Sequence, residues 1–182
     1  MIINFCGGSH CASPKKESWT TLLADKLDAK IIGLGKSGAA HEHAIKSFNS
    51  TADITIFCWP NFTRLYNKDY SLTFTTCKEH VNDNKVYKAG YVYYKYLYDH
   101  EIAKERQIRD LFWFDEKVLT NYTGTILHIW GTEVLYNFKN GSMAEQNTDK
   151  KYHTKIRPRA NHMTYEDNIK YTAKISSFLT RY

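Results

Sequence analysis

The sequence lacks the features that define several classes of protein. Its four cysteines form no Cys-x-x-Cys pair and show no zinc-ligand spacing, which argues against a zinc site or a disulfide framework. No apolar run approaches the roughly 20 residues that a membrane-spanning helix needs. No basic and apolar leader precedes the first predicted strand. Cys6 and Cys58 lie in apolar runs typical of buried thiols. We therefore expect a cytoplasmic protein, in the host cytoplasm if the gene is viral.

There is also no run of five or more basic residues, although the net charge is +6. Scattered lysines are typical of solvated faces, so nucleic acid is a disfavoured partner; if it does bind, DNA affinity should fall steeply with salt. His41 and His43 point to different sides of a predicted helix, and Cys6, His10 and Cys11 have no second ligand pair. No metal or cofactor is expected, and the oligomeric state is left open.

The order of apolar segments predicts a single α/β domain over residues 1–182. Strand-like runs alternate with helical spacing, which is typical of a mostly parallel sheet covered on both faces. The predicted strands are 1–6, 30–34, 53–59 and 125–130, and the predicted helices are 17–27, 39–48, 85–119 and 164–179. Polar stretches at 61–84 and 137–158 are predicted to be loops.

Two short segments at opposite ends of the chain carry the most chemical information. Gly7-Gly8-Ser9-His10 follows the first apolar strand, which places a hydroxyl where open α/β sheets hold their ligands. Asn161-His162 precedes the last predicted helix. A serine hydroxyl is a weak nucleophile until an imidazole within hydrogen-bond reach takes its proton. Each residue alone also has a plain structural interpretation, as a turn serine or a helix-start histidine.

Four short blocks together resemble the SGNH (GDSL-type) hydrolase superfamily. Gly7-Gly8-Ser9 is similar to its Gly-Asp-Ser block, with Gly8 in the place of the aspartate. Gly38 matches the glycine after the second strand, Asn61 matches the asparagine after the third, and His162 matches the histidine of the last block. The resemblance implies a flavodoxin-like α/β/α sandwich that hydrolyses esters without a cofactor. The composition is compatible with a divergent, phage-encoded member.

The resemblance also implies a role for each matching residue. Ser9 would be the nucleophile and His162 the general base, while Gly38 and Asn61 would stabilise the oxyanion together with the Ser9 backbone N–H. His10 and Arg64 are possible substrate contacts. The substrate would be a small acyl ester, of which an O-acetylated sugar is one example.

One departure from the superfamily pattern leaves the activity open. Arg159 stands where an aspartate would orient His162, and a guanidinium cannot accept the imidazole N–H. A backbone carbonyl could orient a serine–histidine dyad, Asp149 could supply the carboxylate, or activity could be lost. The alternative function is accordingly a catalytically silent domain that binds a glycan or a protein, which the 14 tyrosines also favour.

Overall fold

The fold is a parallel β-sheet with helices on both faces. The computed structural model describes residues 1–131, 133–144 and 163–179. The strands are β1 (Ile2–Gly7), β2 (Lys30–Gly33), β3 (Ile54–Trp59), β4 (Thr125–Trp130) and β5 (Ser142–Met143). The helices are α1 (Trp19–Lys26), α2 (His41–Lys46), α3 (Phe74–Glu79), α4 (Lys85–Tyr96), α5 (His100–Lys117) and α6 (Tyr165–Leu179), with short 3-10 turns at Ser9–Cys11 and Leu119–Asn121.

The strand order places the ends of β1 and β3 next to each other. The order is β2-β1-β3-β4-β5, and every neighbouring pair is parallel. This is the order of flavodoxin-like doubly wound sheets, whose direction of winding changes beside the first strand. β1 and β3 pair from Ile3↔Ile54 to Gly7↔Cys58. Ligands of open α/β sheets bind at the carboxyl ends of the strands at this switch point.

Alternating residues of β3 face two different helix layers. Ile54 and Ile56 belong to the core cluster that α1 and α6 cover, whereas Phe57 and Trp59 belong to the cluster that α5 covers. The whole of β3 is buried because both of its faces are covered. These two cores confirm the predicted three-layer α/β/α sandwich with a parallel sheet.

The predicted loop at 61–84 is wrong in part, because it contains α3. Thr73 caps this helix, its Oγ1 accepting a hydrogen bond from the Thr76 N–H at 3.1 Å. α3 lies close against α4, since a Cβ on Gly90 would come within 2.6 Å of Cys77 Sγ. The α3–α4 pair is the excursion by which the chain covers the sheet edge.

The predicted helix at 85–119 is two helices. α4 ends at Tyr96, and Asp99 caps α5 by accepting a hydrogen bond from the Ile102 N–H at 3.0 Å. Capping aspartates are common at helix starts because they satisfy an otherwise unpaired N–H. Among the described residues, no helix has the length and apolarity needed to cross a membrane.

The predicted loop at 137–158 is also wrong in part. It contains β5, whose two residues pair with Leu127 and His128 of β4. So short a strand has no apolar run of its own, and it is defined by its partner across the sheet. Residues 145–158 of this segment lie outside the described residues.

Candidate active site

Three loops meet at the carboxyl edge of the sheet and surround one cavity. The cavity has a volume of about 500 Å³ and lies over the ends of β1, β3 and β4. It brings together the described candidate residues, which are Ser9, His10, Gly38, Asn61 and Arg64. These five residues therefore line one cavity, and their roles remain predictions.

The loop after β1 depends on glycine to place Ser9. Gly7 has a φ of +144°, and a Cβ there would lie 2.1 Å from the carbonyl oxygen of Cys58. The Gly8 N–H donates to that same oxygen at 3.1 Å. A side chain at position 7 would push β1 and β3 apart. The tight turn instead starts the 3-10 turn at Ser9, on the wall of the cavity.

The loop after β2 presents Gly38 to the same cavity. Gly38 has a φ of +70°, in the left-handed region that favours glycine. A Cβ on this residue would lie 1.5 Å from Ser71 Oγ, so the position has room for glycine alone. Because Gly38 has no side chain, no Cβ of its own covers its backbone N–H.

Asn61 is oriented by its own loop. Its Oδ1 accepts a hydrogen bond from the Thr63 N–H at 2.8 Å, an Asx turn that fixes the amide plane. The carbonyl of Pro60 accepts a bond of 3.4 Å from the buried Gln107 Nε2. Because the oxygen of Asn61 is occupied, its NH₂ group is the end that is free to donate to a ligand.

The cavity is lined by donors that lack acceptors. In the described part of the chain, the backbone N–H groups of Ser9 and Gly38, the amide nitrogen of Asn61 and the Ser9 hydroxyl have no hydrogen-bond partner. Backbone donors inside a folded protein are normally satisfied. Converging unsatisfied donors can bind a negatively charged oxygen, as an oxyanion hole does.

Arg64 lies beside the Ser9 loop with its charge uncompensated. Its Nη1 donates to the carbonyl of Ala39 at 3.1 Å. Nη1 lies 3.2 Å from the position that a Cβ on Gly8 would occupy. Burial lowers the pKa of Arg64 from its ordinary value, although a guanidinium keeps its proton at neutral pH. Among the described residues, no carboxylate lies within 4 Å of this guanidinium.

His10 contributes an aromatic edge to the cavity. Its ring packs against Trp19 of α1 and Tyr171 of α6, with ring centroids 5.4 Å and 5.1 Å apart. Its backbone carbonyl accepts a bond of 2.8 Å from Trp19 Nε1. These contacts fix His10 between the two helices on one face of the sheet.

One wall of the cavity is rich in hydroxyl groups that the sequence motifs do not predict. The wall comes from the segment that leads into α3 and from α3 itself, and its polar side chains are Ser71, Thr73, Thr75, Thr76 and Glu79. The signal available in the sequence was the Thr73 cap, which marks the start of a helix within a stretch predicted as loop.

The remaining catalytic candidate is outside the part of the chain that the structure describes. His162, Arg159 and Asp149 all fall there, so neither the predicted general base nor its orienting group has a described position. The described chain resumes at Met163, which packs against the core cluster that also contains Cys11 and Cys58.

The described residues contain one cluster of metal-ligand type, and it lies apart from this cavity. A nitrogen of His41 and one oxygen each of Glu42 and Asp110 lie within 4.8 Å of one another. His41 Nε2 is 2.9 Å from Asp110 Oδ2, and Arg106 lies 3.8 Å from Glu42. Since these side chains already form ion pairs between α2 and α5, the cluster has a structural explanation. His43 is not a member of it.

Comparison with known proteins leaves the family unassigned. No protein-family model matches the chain, and no curated protein has significant sequence similarity to it. A flavodoxin-like fold hosts many unrelated activities. The function must therefore be argued from the chemistry of the cavity.

Proposed function

We propose that the protein is an SGNH-like serine hydrolase that cleaves a small acyl ester. The observation that carries this proposal is the meeting of Ser9, Gly38 and Asn61 at one cavity, each with a donor that has no partner among the described residues. These are the residues to which the superfamily resemblance assigns the nucleophile and two oxyanion donors.

The reaction would proceed through an acyl-enzyme. Ser9 Oγ attacks the ester carbonyl while His162 takes the hydroxyl proton, and a tetrahedral oxyanion forms. The N–H groups of Ser9 and Gly38 and the Asn61 amide hold that oxygen. The intermediate collapses to the Ser9 ester as His162 gives its proton to the departing alcohol. Water then attacks the acyl group by the same route, releasing the acid and restoring Ser9.

The proposed mechanism needs a group that orients the His162 imidazole. At position 159, where the superfamily has an aspartate, this chain has no side chain that can do so. Arg159 has only donor groups, so it cannot accept the imidazole N–H. We propose a serine–histidine dyad in which a backbone carbonyl performs this task. A carboxylate at Asp149 is the alternative, and the Asp149→Asn variant distinguishes the two because only the alternative predicts a loss of turnover.

The hydroxyl-rich wall supports a carbohydrate as the alcohol of the ester. Serine and threonine hydroxyls both donate and accept hydrogen bonds, as the hydroxyls of a sugar do. Ser71, Thr75 and Thr76 line the same cavity as Ser9. An O-acetylated sugar would bring its ester to Ser9 and its free hydroxyls to this wall.

The buried thiols support a reducing compartment as the site of action. Cys6, Cys11, Cys58 and Cys77 are all buried and unpaired, and burial raises the pKa of the Cys6 thiol to about 12. Because the thiolate is the reactive form, such thiols are poorly reactive. We propose the cytoplasm as the location.

A fluorophosphonate probe tests the proposed nucleophile. An activated serine displaces fluoride from the probe and stays covalently phosphonylated, and mass spectrometry of the peptides locates the label. We expect label on Ser9, none in Ser9→Ala, and strong reduction in His162→Ala. Ser50→Ala, which changes an exposed serine, controls for the substitution itself.

The same experiment tests the alternative of a silent binding domain. The absence of an aspartate at position 159 favours that alternative. Folded protein that takes up no probe at Ser9 would refute the hydrolase proposal. A glycan array with the unmodified protein would then be the measurement that supports or rejects the binding function.

A further inference from the structure

We propose that the ester bound in this cavity carries a carboxylate, and that Arg64 binds this group. The inference rests on the proposed function in one respect, because it assumes that the ligand is an ester attacked by Ser9. The binding of a carboxylate by Arg64 does not itself require turnover.

The first step of the argument is the unbalanced charge. Arg64 is partly buried, and Ala39 O is its one hydrogen-bond partner within the described chain. A guanidinium has five N–H donors, so four are available. A charge removed from water is costly unless it is paired. A guanidinium that lines a cavity and has no counter-ion among the described residues therefore indicates that the counter-ion arrives with the ligand.

The second step is the identity of residue 8. The superfamily block has aspartate before the serine, and this chain has Gly8 there. A Cβ on Gly8 would lie 3.2 Å from Arg64 Nη1, so an aspartate at this position would stand against the guanidinium. The glycine thus removes the one side chain of that loop that would neutralise Arg64.

The third step separates Arg64 from the oxyanion. The oxyanion of an acyl transfer already has three candidate donors in Ser9, Gly38 and Asn61. Arg64 is additional to these, and its planar fork suits the two oxygens of a carboxylate. Arg64 is thereby available for a fixed negative group on the substrate.

The fourth step limits the ligand to a single negative charge. Arg64 is the one Lys or Arg among the described lining residues, whereas Glu79 adds a carboxylate to the lining. A dianion such as a phosphate monoester would meet one positive and one negative side chain. A monoanionic carboxylate balances the single positive charge of Arg64.

Matched ester pairs test the inference. Nitrophenyl butyrate and the nitrophenyl monoester of succinate have acyl chains of equal length, and the second bears a carboxylate. Phenyl acetate and 4-carboxyphenyl acetate place the charge on the alcohol side. We expect kcat/KM to favour the charged member of at least one pair by about 10- to 100-fold, the size of a charged hydrogen-bonded contact.

Two substitutions should remove this preference. Arg64→Gln deletes the charge, and Gly8→Asp supplies an internal partner for it, so both should bring the ratio of kcat/KM values close to one. Gly8→Asn is the matched control, because it adds the same bulk without charge and should keep a preference above one. An unaltered ratio in Arg64→Gln and in Gly8→Asp would overturn the inference.

A binding measurement separates this inference from the proposed hydrolase function. Monomethyl succinate or 4-hydroxybenzoate, monoanions related to the charged esters, should raise the Tm of Ser9→Ala but not of Ser9→Ala/Arg64→Gln. If the Tm of Ser9→Ala rises in this way but the unmodified protein hydrolyses none of the esters, the hydrolase function is refuted and the carboxylate site is supported. Turnover without charge preference and without an Arg64-dependent Tm shift would support the hydrolase and refute the carboxylate site.

Discussion

Two polar regions of this protein differ in how completely their hydrogen bonds are satisfied. The buried Asp115 carboxylate accepts four bonds of 2.8–3.2 Å, from the Tyr136 hydroxyl, the N–H groups of Lys139 and Asn140, and the Asn140 amide. At the cavity, Ser9, Gly38 and Asn61 have donors without partners in the described part of the chain. The first region holds the chain together, whereas the donors of the second have no acceptor among the described residues.

His128, next to the Asp115 region, also has hydrogen-bond partners for both of its ring nitrogens. His128 is fully buried, accepts a bond of 3.1 Å from Trp59 Nε1, and donates from Nε2 to the Asn140 carbonyl at 2.9 Å. Phe138 stacks on its ring at 3.6 Å. A buried histidine is often a candidate for catalysis, but one nitrogen of this one is bonded to Trp59 of β3 and the other to the connection between β4 and β5. The hydrogen bonds of His128 therefore explain its burial as structural.

The largest expected effect is a loss of stability in the Asp115 region, where the hydrogen bonds are satisfied. Asp115→Asn removes the charge and replaces one carboxylate oxygen with an NH₂ group that faces two of the four donors, so we expect the free energy of unfolding to fall by about 3–5 kcal/mol. Urea denaturation measures the loss. Glu116→Gln, at a partly exposed neighbour paired with Lys139, should cost less than about 1 kcal/mol. Equal costs for the two variants would contradict the structural role of Asp115.

The second effect is a dependence of stability on pH. Burial, partly opposed by the hydrogen bond to Asn140, lowers the pKa of His128 from 6.5 to about 4. The unfolded chain therefore binds a proton at higher pH than the folded chain does. The contribution of His128 is fully present above pH 6.5 and is lost as the pH falls towards 4, by about 3 kcal/mol in total.

His128→Gln isolates that contribution. Urea denaturation at several values between pH 7 and pH 4 should show a shallower slope for the variant than for the parent. The slope of the variant should not vanish, because burial and Lys36 also lower the pKa of His43. Parallel curves for the parent and the variant would show that His128 does not titrate differently on folding.

The sequence was most informative where structure is local. The apolar, β-branched run of β3 predicts its bounds to within one residue, because a strand buried on both faces needs continuous apolar side chains. β5 was missed because two residues carry no such pattern, and they become a strand only by pairing with β4. α3 was missed because its segment is polar, although Thr73 marks its start.

At the site, the order of the motifs predicts which loops meet, whereas the distances between residues of different loops come from the structure alone. Ser9, Gly38 and Asn61 follow three successive strands, so a parallel sheet brings them to one edge. The closeness of Gly8 to Arg64 depends on how the loop after β3 folds back across the edge. No local pattern in the sequence encodes that approach.

The third prediction concerns the cavity, at Gly38, where a side chain has the least room. Gly38→Ala forces a Cβ into a φ of +70° and against Ser71 Oγ, so we expect a loss of about 1–2 kcal/mol in stability. If the Gly38 N–H holds the oxyanion, its displacement should also lower kcat by about 100-fold. Stability comes from urea denaturation and kcat from ester hydrolysis.

Ser71→Gly combined with Gly38→Ala separates the two causes of that loss. Removing the Ser71 side chain relieves the contact but leaves the backbone strain, so stability should recover only in part. If Gly38→Ala shows the whole expected loss of stability but a normal kcat, the Gly38 N–H takes no part in the reaction.

The smallest effect concerns the loop that carries Arg64. Tyr94 OH lies 2.8 Å from the Thr63 carbonyl and 2.7 Å from the Leu72 carbonyl, and it accepts a bond from the Leu65 N–H at 3.2 Å. Tyr94→Phe removes these contacts and leaves backbone groups unpaired, so we expect a loss of about 1–2 kcal/mol. Faster amide exchange at Leu65 would show that the loop itself has loosened.

Tyr98→Phe is the matched control, because its buried hydroxyl has no hydrogen-bond partner among the described residues. Removing an unsatisfied hydroxyl should leave stability unchanged or slightly raised. The two tyrosines lie on the same side of the fold and their rings are 5.5 Å apart, so they differ mainly in whether the hydroxyl is bonded. Equal destabilisation by both changes would mean that ring packing, and not the three contacts of the Tyr94 hydroxyl, holds the Arg64 loop beside the cavity.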